Sequence, residues 1–337
     1  MPERVLVTGG TGYVAGHVIQ ELLEHGYEVR TTVRTATDAL PGRVEAVRAD
    51  LTSDDGWADA VADCAYVLHV ASPFPATSPD DENELIRPAV DGTLRVLRAA
   101  AAAGTVKRVV LTSSLAAVTA GHDRRDTAMR TEADWSIVES SPAYQKSKTL
   151  AERAAWDFVA ELPEAQRFEL VAVNPGWVLG PLGTTSARTS VEAVRRLLIR
   201  DIPASPRLAM AIVDVRDLAA GHRLAMETPS AAGNRYIMAG DEIWMPDLAG
   251  ILAAEFNGRG FRVPTGTLPS WVLRLMARFD RSLRLVPYFV DRRERVSAAK
   301  AQRELGWTMR PVRETIVDTA ASLIEKEIVA PKASVAA

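Results

Sequence analysis

Residues 4–25 constrain the fold more tightly than any other stretch of the chain. Arg-Val-Leu-Val-Thr at 4–8 is a short apolar run suited to a buried strand, and it stops at Gly9-Gly10-Thr11-Gly12. From 13 to 25, Val14, Val18, Ile19, Leu22 and Leu23 recur at helical spacing, with Gly26 as a C-terminal stop. Strand, glycine turn and helix in that order are the context a dinucleotide-binding fingerprint requires. The reason is steric and electrostatic. Gly9 permits a tight turn, Gly12 lets the backbone approach a pyrophosphate, and the helix N-terminus offers unbonded amides. Ala15 holds the third small position, with Gly16 beside it.

The next segments continue the alternation. Residues 27–34 alternate as a strand does, and roughly 20 residues beyond the glycines NAD-binding proteins place an acid on the ribose 2′-hydroxyl. Here Arg34 stands at that point, with Arg30 nearby and Arg43 after a short loop. An arginine suits a 2′-phosphate, so the expected cofactor is NADP(H). Residues 43–51 predict a third strand ending in Asp50-Leu51, where Asp50 either meets the adenine amine or caps a helix starting near Asp54. Residues 66–71 predict a fourth strand, delivering Val70, Ala71 and Ser72 to the cofactor edge before Pro73-Phe74-Pro75. A helix is expected over 88–103, ended by Gly104, and a fifth strand over 107–111 brings Thr112-Ser113-Ser114 to the carboxyl end of the sheet, where open α/β sheets bind ligands. The expected class is α/β, a Rossmann-type doubly wound parallel sheet with a smaller C-terminal substrate lobe.

Ala-Tyr-Gln-Lys-Ser-Lys-Thr-Leu-Ala-Glu at 143–152 carries the chemistry. On a helix, Tyr144 and Lys148 project from one face a single turn apart. A phenol with an unperturbed pKa of about 10 is a poor proton shuttle at neutral pH. A nearby ammonium favours the phenolate and lowers that pKa. A strand-end hydroxyl such as Ser114 can hydrogen-bond a substrate carbonyl opposite Tyr144, or simply cap the next turn.

Composition excludes other classes. The 40 basic residues are offset by 43 acidic ones and no basic run tracks phosphates, so no nucleic-acid partner is expected. One cysteine, Cys64, precludes an internal disulfide, and the five histidines never fall at metal-ligand spacing, so no metal is expected. No apolar run reaches membrane-spanning length and no signal segment is apparent, which points to the cytoplasm.

Several stretches together resemble the extended short-chain dehydrogenases/reductases of the dihydroflavonol reductase and cinnamoyl-CoA reductase branch. They are Val-Thr-Gly-Gly-Thr-Gly-Tyr-Val-Ala (7–15), Thr-Val-Arg (32–34), Leu-Thr-Ser-Ser (111–114), Tyr-Gln-Lys-Ser-Lys (144–148), Asn-Pro-Gly-Trp-Val-Leu-Gly-Pro (174–181) and Val-Asp-Val-Arg-Asp-Leu-Ala (213–219). The resemblance implies that Ser114 polarises a substrate carbonyl, Tyr144 donates the proton, and Lys148 holds the nicotinamide ribose. It implies cofactor contacts from Thr8, Gly9, Thr11, Gly12, Tyr13, Val14, Arg34, Asp50, Leu51, Val70, Ala71, Ser72 and Thr112. Pro175, Gly176 and Val178 would line the nicotinamide, and Ser186 would lie near the phosphates. Asp217 is expected to be structural.

Two departures bear on substrate. Ser-Pro-Ala-Tyr-Gln-Lys-Ser at 141–147 differs from the Asn-Trp-Tyr-Cys-Tyr-Gly-Lys segment of cinnamoyl-CoA reductases. Thr119 stands where plant dihydroflavonol reductases carry a flavonoid-reading asparagine. The expectation is therefore a broader reduction of an aldehyde or ketone, by a monomer or homodimer. Residues 1–180 with 212–240 would bind the dinucleotide, 181–211 with 241–328 would form the substrate lobe, and 329–337 a flexible tail. Trp177, Met210, Phe74 and Thr119 are expected in an apolar substrate lining, and residues 268–279 as lobe core or pocket lid. Two other readings compete: a hydroxysteroid dehydrogenase or nucleotide-sugar epimerase with bound NAD, and a non-catalytic NADP(H)-sensing protein.

Overall fold

The computed structural model describes residues 3–35, 40–72, 81–183, 190–279 and 286–331. The first half alternates as expected: β1 (Arg4–Val7), α1 (Tyr13–Glu24), β2 (Glu28–Val33), β3 (Glu45–Arg48), α2 (Trp57–Val61), β4 (Tyr66–His69), α3 (Asn83–Ala103), β5 (Arg108–Thr112), α4 (Ala143–Ala160) and β6 (Glu169–Pro175). Then come β7 (Trp177–Leu179), α5 (Ser190–Leu198), β8 (Ser205–Pro206), β9 (Ala209–Asp214), α6 (Val215–Glu227), β10 (Arg235–Met238), β11 (Glu242–Trp244) and α7 (Met245–Phe256). The chain closes with β12 (Thr267–Leu268), α8 (Ser270–Met276), α9 (Val286–Phe289), α10 (Ala299–Leu305) and α11 (Val312–Glu325).

Seven parallel strands form the central sheet in the order β10-β6-β5-β4-β1-β2-β3. Its strands read as near-continuous apolar runs because both faces are covered. On one face α1 and α6 pack Val18, Ile19, Leu22 and Leu218 over Val5, Val7, Val110 and Val171. On the other, α2, α3 and α4 pack Trp57, Val96, Leu97 and Ala155 over Leu6, Val67, Val109 and Leu170. Strand order reverses beside β1, since β2 lies on one side and β4 on the other. Such a switch point leaves a crevice at the carboxyl ends of the strands.

At Gly176 the chain leaves this sheet for a second one. β7 pairs parallel with β9, which pairs antiparallel with β11. A Cβ on Gly176 would lie 2.0 Å from the Ala211 carbonyl oxygen, so only glycine allows the two sheets to meet there. A second core forms around Leu179, Val194, Leu197, Ile212, Leu248, Leu252, Phe256, Ile316 and Leu323.

Three elements differ from the sequence expectation. α3 begins at Asn83, one turn before Pro88, because burial of Leu85 and Ala89 holds that turn despite the bond a proline forfeits. α8 buries only Leu273; Trp271 is 67% and Phe279 85% exposed, so this apolar stretch is not lobe core. Ala298, Ala301, Leu305 and Trp307, expected in the lobe, pack instead into the first core. There the Trp307 Nε1–H donates to the Asp217 carbonyl at 2.8 Å, while the Asp217 carboxylate accepts from the Arg310 backbone N–H (2.8 Å) and guanidinium (2.7 Å). Asp217 is thus a structural clasp. Cys64 is a fully buried free thiol.

Trp307 is among the largest fully buried side chains, and its removal leaves a cavity in the first core. Trp307→Ala should cost about 3–5 kcal/mol in urea-induced unfolding. A loss below about 1 kcal/mol would show that the C-terminal segment is not integral to that core.

Candidate active site

The glycine turn sits at the switch point and is tied to both neighbouring strands. Gly9 has φ +75°, the left-handed region, and a Cβ there would lie 3.0 Å from the Ala71 Cβ after β4. Its amide donates to Thr32 Oγ1 at 2.9 Å, and the Gly10 amide to the Thr32 carbonyl at 3.0 Å. Gly10 also needs its missing side chain, since a Cβ would strike the Thr31 side chain at 2.3 Å. Gly12 closes the turn by donating to the Gly9 carbonyl at 2.8 Å and stands as the N-cap of α1, with no side-chain cap bond and no acid in the first turn. That N-terminus therefore presents backbone amides of partial positive charge to the crevice, as an anionic pyrophosphate requires. From sequence, Gly12 is expected to let the backbone approach a pyrophosphate; the contact distances show a different close approach, of Gly9 to Ala71 and Gly10 to Thr31.

Thr8 stitches the turn to β4. Its hydroxyl accepts from the Ala71 amide at 2.9 Å and meets His69 Nδ1 at 2.9 Å. The crevice wall then runs through Leu51, His69, Ala71, Ser72, Thr112, Lys148 and Glu152. Five of these were expected from sequence. Val70 lies beside them, partly buried, and Val14, also partly buried, packs against the first core. Thr11 is exposed at the turn.

At the outer end of the crevice, Arg34 is exposed just past β2, close enough to help hold the Asp50 carboxyl below the usual carboxylate range. The larger cause is a pair of hydrogen bonds from Thr52, its amide at 2.8 Å and hydroxyl at 2.7 Å. Asp50 therefore caps the turn at Thr52; α2 starts later, behind Gly56. Arg30 is no phosphate ligand. It is buried, donates to the Asp59 carbonyl at 2.9 Å and the Ala62 carbonyl at 2.6 Å, and pairs with Glu45 at 2.9 Å. Strand alternation turns it to the α2 face, opposite its neighbour in the turn-facing Thr31.

Ser114 follows β5 in extended backbone and caps the short turn Leu115–Ala117, its hydroxyl accepting from the Ala116 amide at 3.1 Å. Tyr144 and Lys148 project one turn apart from α4, and the Tyr144 and Ser114 hydroxyls are hydrogen-bonded. Of the two readings of Ser114, the structure contains the cap, and it sets the same hydroxyl against that of Tyr144. From sequence, the ammonium is expected to pull the phenol down. In the structure burial raises the Tyr144 pKa, and the Ser114 bond is what opposes it. Burial also brings Lys148 down to about 8, against the pull of Glu152. Desolvation outweighs the pairwise attraction on which the sequence argument relied.

Further along, Pro175 ends β6, Gly176 marks the crossing between sheets, and Val178 lies in β7 beside Val213. Tyr13 has a role that its motif did not show. Its hydroxyl donates to the Gly180 carbonyl at 2.9 Å, while His17 stacks edge-on and its Nε2 bonds the Pro181 carbonyl at 2.9 Å. α1 thereby grips the 177–183 segment. The Thr112 hydroxyl faces α6, 2.7 Å from His222 Nε2. His222 Nδ1 lies 2.8 Å from the Leu218 carbonyl, which can only accept, so Nδ1 carries the proton and Nε2 accepts from Thr112. Of the expected substrate lining, Trp177 and Thr119 are partly exposed, whereas Met210 is buried in the second core. Thr119 donates to the Leu115 carbonyl at 3.1 Å and lies 3.3 Å from Glu294. Phe74 and Ser186 lie outside the described residues.

The sequence reading missed His69, Ser113, Asn174 and Glu152. Only Glu152 had a legible signal, standing four residues beyond Lys148 on the same helical face. Among the described residues no His, Cys, Asp or Glu cluster could hold a metal ion, and no helix is long and apolar enough to cross a membrane.

Residues 5–239 match the NAD dependent epimerase/dehydratase family. The chain is 33% identical over 336 residues to cinnamoyl-CoA reductase 2 of Arabidopsis thaliana, covering 96% of this chain and 92% of that one. A (2S)-flavan-3-ol-forming anthocyanidin reductase of Vitis vinifera is 34% identical over 291 residues, 78% of this chain and 84% of the relative. Among solved structures, the yeast methylglyoxal/isovaleraldehyde reductase Gre2 complexed with NADPH superposes with a TM-score of 0.80 at 29% identity, covering 96% of this chain and 99% of that one.

Two buried imidazoles flank the crevice, and burial lowers His69 to about 3 and His222 to about 4. Both lie below the unfolded value of about 6.5, so on acidification the unfolded chain takes up protons first. The stability their neutral forms preserve is intact above pH 6.5 and is lost as pH falls toward the folded values. Urea-unfolding free energy should therefore drop between pH 6.5 and 5, and the drop should shrink by about half in His222→Gln; an unchanged slope would exonerate that ring.

Proposed function

The chain belongs to the NAD dependent epimerase/dehydratase family, and from that premise we propose that it reduces an aldehyde or ketone to an alcohol with NADPH as hydride donor. The observation that carries this reading is the Ser114–Tyr144 hydrogen bond one helical turn from Lys148, which lines the crevice together with Ala71, the residue that Gly9 packs against. The residues present fit a dinucleotide: an uncapped helix N-terminus, a glycine backbone packed within contact of Ala71, and an exposed arginine at the end of β2.

Bound there, the cofactor supplies a hydride to the carbonyl carbon. The protein does the rest. Ser114 and Tyr144 hydroxyls converge on the carbonyl oxygen, the first as hydrogen-bond donor and the second as proton donor. As negative charge builds on that oxygen, the Tyr144 proton passes to it, and the phenolate left behind is stabilised by the Lys148 ammonium. With Lys148 at about 8, most of these side chains are charged at neutral pH. The reaction is balanced: one hydride and one proton convert C=O to CH–OH.

In this reading residues 1–180 with 212–240 hold the cofactor, and the pocket for the carbonyl compound lies between the sheet edge and the second core. The partly exposed Trp177 and Thr119 line it; the buried Met210 does not. Yeast Gre2 is named for methylglyoxal and isovaleraldehyde, both small carbonyl compounds, and the plant relatives for a cinnamoyl thioester and an anthocyanidin; the first supports a carbonyl substrate and all three support a reductase.

Tyr144→Phe should lower kcat by about 10²-fold or more while the NADPH dissociation constant, read by fluorescence, changes little; substantial residual turnover would contradict the proton-donor role. Arg34→Glu should raise KM for NADPH about tenfold or more and leave KM for NADH nearly unchanged. Equal effects on both cofactors would place the 2′-phosphate elsewhere.

A further inference from the structure

Beneath the Tyr144–Lys148 face lies a buried polar cluster centred on one carboxylate. Glu152 is 1% exposed and sits one helical turn beyond Lys148. One of its oxygens accepts from the Ser113 hydroxyl and from Asn174 Nδ2 (2.8 Å); the other accepts from Arg235 Nε (2.6 Å) and lies 3.4 Å from Trp156 Nε1. Each partner arrives from a different element. Ser113 immediately precedes Ser114 after β5, Asn174 immediately precedes Pro175 in β6, and Arg235 opens β10. Asn174 also donates to the Ser114 carbonyl at 3.2 Å, so one amide bridges the carboxylate and the serine backbone.

Arg235 is anchored independently. Its guanidinium donates to the carbonyls of Glu132 (2.9 Å) and Asp134 (2.7 Å) and lies 3.7 Å from the centre of the Trp135 ring. The guanidinium thus has fixed partners of its own and needs Glu152 for only part of its neutralisation. Donors from Ser113, Asn174 and Arg235 converge on this buried carboxylate, the kind of partners a buried acidic group requires. On the crevice side it faces Lys148, and the same cavity is lined by both residues.

We infer that Glu152 is a positioning residue for the reaction: its carboxylate ties the strand ends carrying Ser114 and Pro175 to α4 and supplies the negative charge that holds Lys148 as an ammonium. The inference rests on the proposed role of Lys148. The groups around that lysine support it. From β4, His69 is kept neutral by burial and adds no positive charge at neutral pH. From α4 itself, Tyr144 is a neutral phenol held protonated by burial. From β10, Arg235 stands behind the carboxylate and is bonded to it. Glu152 is the charge that opposes the desolvation of Lys148.

The test reads Lys148 directly, without requiring turnover. The chain has six lysines, so ¹³Cε-lysine labelling gives few resonances, and Lys148→Arg identifies the one that matters. In the wild type this resonance should titrate near pH 8. In Glu152→Gln, which keeps the shape and removes the charge, the midpoint should fall by about one pH unit, and the basic limb of the kcat profile should move down with it. A folded Glu152→Gln protein with an unchanged Lys148 midpoint would overturn the inference. Should the single variant fail to fold because Arg235 is left without its partner, Glu152→Gln/Arg235→Gln removes both charges, and the same two results decide. Absence of carbonyl reduction in the wild type would refute the proposed function alone, since the titration still reports whether Glu152 governs Lys148.

Discussion

The close approach of backbone to backbone at the centre of the sheet is the constraint on which the rest depends. β1 and β4 run side by side, and the turn after β1 must pass within contact of Ala71 after β4 while leaving the α1 N-terminus open. A side chain at Gly9 or Gly10 would push the turn outward and close off the open N-terminus of α1. The strand order places that opening at the switch point, and the order follows from burying apolar strands on both faces.

Around this opening the electrostatics are arranged by burial more than by charge pairing. His69 and His222 are neutral because they are dry, and each spends a ring nitrogen on a hydroxyl from a strand end, Thr8 and Thr112. Tyr144 and Lys148 are pushed in opposite senses by the same desolvation, which separates two ordinarily similar pKa values and leaves the phenol holding its proton more tightly than the amine does. The buried charged residues Glu152, Arg235 and Arg108 are compensated by several hydrogen bonds each, Arg108 through the half-exposed Glu169 and the last carbonyls of α6. Buried charge without such partners would be costly.

The second sheet and core enter through a few crossings. Gly176 lets β7 and β9 meet the central sheet, Tyr13 and His17 bind the outgoing segment to α1, and Asp217 with Arg310 and Trp307 brings the C-terminal chain back. These long-range contacts carry no periodic signal, which is why the sequence reading placed residues 298–307 in the lobe. It also read 268–279 as lobe core or pocket lid, because apolar spacing reports that a face exists and not whether anything covers it.

Local pattern sufficed for whatever depends on neighbours in sequence. The strand–glycine–helix unit, the alternation of strands and helices, the spacing of Tyr144 and Lys148 and the delivery of Ser114 to a strand end all follow from backbone geometry with a range of a few residues, and the structure contains each of them. Folding alone decided which of several similar residues does which job. Arg30 lies in β2 and Arg34 just past its end, yet one is sealed against α2 and the other is exposed. Glu152 meets Ser113, Asn174 and Arg235 only when three strands and a helix have assembled, and the balance between desolvation and attraction at Tyr144 and Lys148 depends on how much water that assembly excludes. Such quantities depend on three-dimensional surroundings, and separation along the chain does not encode them.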